Sequence, residues 1–207
     1  MRIQSGMSTS NKIQKRYLKR KPQNVHTGGK KLYYSDGKLH RTDGPAVIYP
    51  GGSEEYYFEG KLHRKEEDGP ACIYISGGEA YYYKGRLHRT KGPAVTYPDG
   101  EKRYYIHGKL HRTDGPAVIH TNGFIKYYYK GKLHRTDDPA CIYSDGGEQY
   151  YIHGVRHRVD GPASIFMNGC RKYYFEGKFH RTDGPAVINV DGTVEYYING
   201  DLVEPFV

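Results

Sequence analysis

The sequence predicts an all-β fold: an elongated, twisted single-sheet array of about seven to eight β-hairpin repeats with a 23-residue period, preceded by a basic N-terminal arm. Three observations carry this expectation. A Tyr-Tyr pair recurs with first members Tyr33, Tyr56, Tyr81, Tyr104, Tyr127, Tyr150, Tyr173 and Tyr196, at intervals of 23 residues save one of 25. The 207 residues include 23 Tyr and 27 Gly but only 6 Phe and no Trp, which suits aromatic strands punctuated by turns better than a helical bundle. A typical unit, YYIHGKLHRTDGPAVIHTNGFIK from Tyr104, also holds two turn dipeptides, His107-Gly108 and Asn122-Gly123.

The first 31 residues read as an arm. They hold Arg2, Lys12, Lys15, Arg16, Lys19, Arg20, Lys21, Lys30 and Lys31 and no acid. The whole chain has 32 Lys and Arg against 23 Asp and Glu, so residues 32–207 keep 23 of each and carry no net monopole. Long-range attraction to an anionic partner must then come from the arm. Within it, NKIQKRYLKRK at 11–21 places Ile13 and Tyr17 four apart amid cations, which predicts one short amphipathic helix ending before Pro22. Alone, so short a helix is marginal in water. The expected partners are nucleic-acid phosphate, through counterion release, an anionic membrane at about 1 kcal/mol per basic residue, or an acidic protein surface. A solvated tail or localisation signal is the plain alternative.

Residues 32–207 form the repeat domain. Two turns per unit make each unit a hairpin, and two strands per unit keep successive units parallel in direction. The segment TDGP is then a kink or bulge at Asp114-Gly115 within one return arm, where Pro116 withholds a ladder hydrogen bond. Neighbouring strands lie roughly 4.8 Å apart, so each unit advances the sheet by about 9.6 Å and the array extends about 70 Å. The two members of each Tyr pair face opposite sides, so columns of rings are expected on both faces: Tyr33, Tyr56, Tyr81, Tyr104, Tyr127, Tyr150, Tyr173 and Tyr196 on one, Tyr34, Tyr57, Tyr82, Tyr105, Tyr128, Tyr151, Tyr174 and Tyr197 on the other. Stacked columns would supply a core to a hydrophilic chain.

The single 25-residue interval comes from Glu66-Glu67 in HRKEEDGPA, a loop that tolerates length. The last unit keeps the Asn199-Gly200 turn but replaces the Lys-Leu-His-Arg string with Asp201, Leu202, Val203 and Glu204, and Pro205 discourages further pairing. The N-terminal edge shows no such cap, so part of the arm is expected to fold over it.

Seven His occupy one unit position, each followed by Arg: His40-Arg41, His63-Arg64, His88-Arg89, His111-Arg112, His134-Arg135, His157-Arg158 and His180-Arg181. A metal needs donors within about 2.1 Å of one ion, which positions about 9.6 Å apart cannot supply. No nucleophile recurs beside them, so neither a triad nor any catalytic or metal site is expected, and no cofactor. The expected role is a polar ladder in which Arg pairs with a carboxylate of its own or the adjacent unit, as Arg112 with Asp114. Cys72, Cys141 and Cys170 lack metal or disulfide spacing; Cys72 and Cys141 stand in ACIY where sister units read AVIY, as small apolar replacements for Val.

The run of aromatic strand, Gly-Lys turn, His, and a second strand after Asp-Gly resembles the MORN repeat family over residues 32–207. GKLHRTDGPA at 37–46 and 108–117, and GKFHRTDGPA at 177–186, resemble more narrowly a MORN-like variant of giant DNA viruses and large phages. The resemblance implies an array of β-hairpins used for scaffolding and protein contacts, with no enzymatic activity. It also implies a structural, virion-associated (capsid) role with capsid or other structural subunits as partners. The usual HGxG is here HRxDGPA, so the lipid binding of some MORN proteins does not transfer directly. A nucleic-acid-associated protein and a membrane-associated adaptor are the alternatives. No stretch approaches 18 apolar residues and no secretory signal opens the chain, so an intracellular or virion location is expected, not a secreted one.

Overall fold

Local chemistry shapes each unit before any neighbour is added, and the unit at 102–119 shows how. The computed structural model of the chain describes residues 23–205. The helix expected over 11–21 and the cations from Arg2 to Lys21 lie outside the described residues. Strand Lys102–Arg103 runs on through Tyr104 to Tyr105–Ile106, where His107 (φ 49°) and Gly108 (φ 80°) reverse the chain into Lys109–Leu110. Two successive positive φ values make the type I′ turn whose twist matches that of strands. The first turn position is left-handed in all eight turns (φ 49–53°), although Glu59, Lys84, His107, Lys130, His153 and Glu176 lack the Asn or Asp chemistry that favours it. At the base, Tyr97 N–H donates to Glu101 O at 2.9 Å across a three-residue loop whose Gly100 has φ 93°.

The return arm is interrupted more deeply than a kink. Tyr105 faces Leu110, so an uninterrupted ladder would place Arg112 opposite Arg103; Val118 stands there instead, six residues further on, and Ile119 faces Lys102. Tyr104 is the pivot. Its N–H donates to Ala117 O at 2.8 Å and its C=O accepts from His111 N–H at 3.0 Å, so both residues lie against one tyrosine while 112–116 loop out. The expected bulge at Asp114-Gly115 is therefore a five-residue loop, with the two-armed unit otherwise as predicted. In the longer unit Cys72, not Arg64, faces Glu55, eight residues on, and the two extra residues form part of a 3-10 turn at Glu66–Asp68.

Each descending arm also pairs with the next ascending arm, as Ile119 with Ile125, and the repetition builds an antiparallel 18-stranded sheet in chain order. At the N-terminal end Gln23–Thr27 pairs with Lys30–Ser35, from Gln23 opposite Tyr34 to Thr27 opposite Lys30. Lys30 and Lys31 thus pair within the sheet, together with Gln23–Thr27. This strand covers the edge for which the arm was expected. At the other end Val194–Ile198 pairs with Asp201–Val203, and pairing stops short of Pro205.

The core is a row of small residues. Ala46, Ala71, Ala94, Ala117, Ala140, Ala163 and Ala186 are all 0% exposed, flanked by buried Val47, Cys72, Val118, Cys141, Ser164 and Val187. Cys72 and Cys141 occupy the Val position as expected, and burial pushes both thiols up to about 11. Directly stacked tyrosine columns are not how the faces are filled. Equivalent tyrosines are two strands, about 9.6 Å, apart, beyond the 4.5–7 Å of ring contacts, so another side chain must intervene. On one face it is Leu, with Tyr57 opposite Leu62, Tyr82 opposite Leu87 and Tyr128 opposite Leu133. Phe179 takes that place once and contacts both Tyr174 and Tyr197, with centroids at 4.5 and 5.2 Å. On the other face it is Arg.

Candidate interaction face

The looped-out residues 112–116 and their counterparts lie on the face of the first tyrosines, and one arginine organises each loop. Arg112 lays its guanidinium over the Tyr104 ring at 4.0 Å, donates from Nε to Asp114 Oδ1 at 2.8 Å and from Nη1 to Pro116 O at 3.3 Å. Arg41, Arg158 and Arg181 repeat all three contacts with Tyr33, Tyr150 and Tyr173. The guanidinium also explains the glycine: a Cβ at Gly115 would stand 3.0 Å from Arg112 Cζ. The Arg–Asp pairs fall within one unit. Bonding to arginine holds the carboxyls of Asp43, Asp114, Asp160 and Asp183 below the ordinary carboxylate range.

The histidines look outward to the next unit. His40, His63, His88, His111, His134, His157 and His180 each accept, at Nδ1, the backbone N–H of the following unit's left-handed turn residue: Glu59, Lys84, His107, Lys130, His153, Glu176 and Asn199, at 3.0–3.3 Å. The next residue's N–H is bonded too, as Gly131 N to Leu110 O at 2.8 Å. Seven of the eight I′ turns are thus clamped by the preceding unit, which offsets the strain of a positive φ on non-glycine residues. An accepting Nδ1 requires the neutral imidazole with its proton on Nε2. Burial, with a smaller contribution from Lys84, His107 or His153, holds His63, His88 and His134 below the ordinary imidazole value.

Three departures from the signature have structural counterparts that sequence reasoning missed. Lys91 replaces the loop Asp, and Glu66, from the two-residue insertion of the preceding unit, takes over. It accepts from Thr90 N–H and Lys91 N–H at 3.0 and 2.7 Å and from Thr90 Oγ1 at 2.7 Å, with Arg89 Nε at 3.8 Å. Arg89 and Arg64 keep the ring stacking on Tyr81 and Tyr56 and the bonds to Pro93 O and Pro70 O. Asp138, in place of Gly, receives Arg135 Nη2 at 2.6 Å while Arg135 stays over Tyr127. Arg156, in place of Leu, donates to the Tyr151 and Tyr174 hydroxyls at 2.9 and 3.3 Å. The insertion and the lost Asp were both visible in the sequence, but nothing local to either marks them as partners.

Between successive loops lie open, polar-walled grooves that recur along the sheet, bounded for example by Arg89–Gly92 and Arg112–Asp114 with Tyr104 and Ile106 beneath. Phe58, Tyr83 and Phe175 stand exposed on this face, interleaved with the histidines, as Phe58 with His40 at 4.6 Å and His63 at 6.0 Å. Among the described residues no group of three or more His, Cys, Asp or Glu could hold a metal ion, and no helix is long and apolar enough to cross a membrane. No family model matches the chain, and no curated protein matches it.

Proposed function

We propose that the chain is a non-enzymatic repeat scaffold that mediates protein–protein contacts through its loop face, with the basic arm as a tether. The observation that carries this reading is how the conspicuous polar residues are used. Each of the seven signature histidines holds the next unit's turn and each of the seven arginines stacks on a tyrosine of its own unit, so the residues best suited to chemistry are engaged in repeating structural contacts, which supports a structural role. What remains open is a row of equivalent grooves, suited to a partner that engages several at once and gains affinity by multivalency. The virion setting rests on the resemblance of the GKLHRTDGPA signature.

Photo-crosslinkers at the groove-rim residues Thr113 and Thr136, compared with Lys102 at the base of the sheet, test the reading within native assemblies. Crosslinks from the rim, with binding that falls in proportion to the number of rim positions changed to Lys, are expected. A partner held equally well after all rims are changed, or substrate turnover by the purified chain, rejects it. For the tether, salt-titrated binding to DNA, RNA and anionic vesicles is compared between the full chain and one starting at Gln23, which keeps the first strand. Binding undiminished by removal of the arm rejects that assignment; arm-dependent binding to nucleic acid alone favours the phosphate-binding alternative.

A further inference from the structure

We infer that the face of the second tyrosines carries a phosphate-binding site, at which Arg156 and Lys172 hold the anion between them and the Tyr174 hydroxyl donates to it. This goes beyond the scaffold reading and does not depend on it, because the loop grooves lie on the opposite face. The site is where the repeat breaks its own pattern. In a sister unit the return arm is apolar on this face, with Leu110 opposite Tyr105 and Val118 between Arg103 and Lys126. Here Arg156 stands opposite Tyr151, and Ser164 stands between Gln149 and Lys172. Residues opposed in a ladder share a face, as do residues two apart on one strand. Gln149, Tyr151, Arg156, Ser164, Lys172 and Tyr174 therefore form one patch, within which Tyr151 Oη donates to Gln149 Oε1 at 3.1 Å.

The patch holds polarity that the sheet neither needs nor satisfies. Arg156 is half-buried and its partners are two neutral phenols: Nε donates to Tyr151 Oη at 2.9 Å and Nη1 to Tyr174 Oη at 3.3 Å. Among the described residues no carboxylate pairs with Arg156 or Lys172. Glu195, two strands beyond Lys172 across Val187, already accepts from the Tyr197 hydroxyl at 2.8 Å. A cation withdrawn from water without a counter-charge costs stability, and the Leu of sister units fills the same place without that cost. Gln149 at 6% and Ser164 at 0% exposure are the two buried polar residues among those described, and Ser164 Oγ has no hydrogen-bond partner. Local rules broken together without a structural return point to a ligand. The free groups define it, for all are donors. They are the remaining guanidinium N–H groups of Arg156, the Lys172 ammonium beside the Phe166 and Phe179 rings at 5.9 and 6.0 Å, and the Tyr174 proton, which has no acceptor among the described residues. Two positive charges match a phosphate group, with its charge of about −1.5 to −2 and three acceptor oxygens, whereas a carboxylate leaves one cation unmatched.

The test follows urea unfolding of the full chain in phosphate and in chloride of equal ionic strength, so that the basic arm is the same in every comparison. A dissociation constant on the order of 1 mM would raise the wild-type folding equilibrium constant about twentyfold at about 20 mM phosphate, relative to chloride. Arg156→Leu, which installs the residue of the sister units, should be at least as stable as the wild type in chloride and should lose most of the phosphate response, with binding at least about tenfold weaker. Lys172→Gln gives a second route and should weaken the response, whereas Lys61→Gln, which removes the same charge at an exposed turn, should leave it intact. Phenyl phosphate in place of inorganic phosphate separates the sources: equal responses identify the free anion, and a larger one identifies a phosphate carried on an organic ligand. A wild type that responds to phosphate no more than to chloride overturns the inference. So does an equal response in Arg156→Leu, which would place the anion on the arm, or a Lys61→Gln variant impaired as much as Lys172→Gln.

Discussion

Mild acid should loosen this protein from within, because the contact that recurs most faithfully between units needs a neutral imidazole. In the native state Nδ1 of each signature histidine accepts the next unit's turn N–H, and protonation replaces that acceptor with a second donor. For His63, His88 and His134 burial already depresses the imidazole. The sign follows from linkage: the unfolded chain takes up protons before the native one, so the stabilisation is complete above the unfolded value of about 6.5 and is lost as pH falls through the lower native values. A partly exposed bond of this kind contributes about 0.5 kcal/mol, the low end of the usual range, so these three amount to about 1.5 kcal/mol, against the 5–15 kcal/mol that holds a typical domain. The Asp carboxyls held low by arginine stay ionised and do not contribute between pH 7.5 and 5. Urea unfolding followed by circular dichroism at several pH values should show the midpoint falling over that window. Replacing His63, His88 and His134 by Asn, whose carboxamide oxygen accepts at any pH, should remove much of the fall. Stability that is flat or rises on acidification, or a triple variant that titrates like the wild type, would refute the reasoning.

The remaining predictions concern the loops and thiols. Glu66→Ala should lower the melting temperature, and adding Lys91→Asp should recover most of the loss by giving Arg89 a carboxylate within its own loop; additive losses in the double variant would reject the compensation. Arg112→Ala removes the stack on Tyr104 and the bond to Pro116 O and should cost on the order of 2 kcal/mol, whereas Asp114→Asn, at a largely exposed carboxylate, should shift the urea midpoint much less. Cys72 and Cys141, buried and with thiols raised to about 11, should resist a thiol reagent at pH 8 until the chain unfolds, so native labelling at the rate of free cysteine would contradict the packing.

The unit itself was legible in the sequence because its signals are local. The Tyr-Tyr spacing, the residue-Gly turns and the length-tolerant insertion each announce themselves within a few residues, and the structure places I′ turns, two-armed units and a loop there. The site was legible only in outline. HRTDG was readable as a polar ladder with Arg112 near Asp114, but not that Tyr104 serves two residues six apart, or that the guanidinium, and not another ring, separates successive tyrosines.

By itself, then, the amino-acid order determined the period, the hairpin and the direction of the array, since short-range backbone preferences repeated at a constant interval permit no other stacking. Only the tertiary structure decided where each polar group finds its partner. His111 bonds Lys130 nineteen residues away and Glu66 serves Lys91 twenty-five residues away, distances along the chain that close only when one unit is laid against the next. Such bonds depend on register between neighbours, and register is fixed by the assembled sheet.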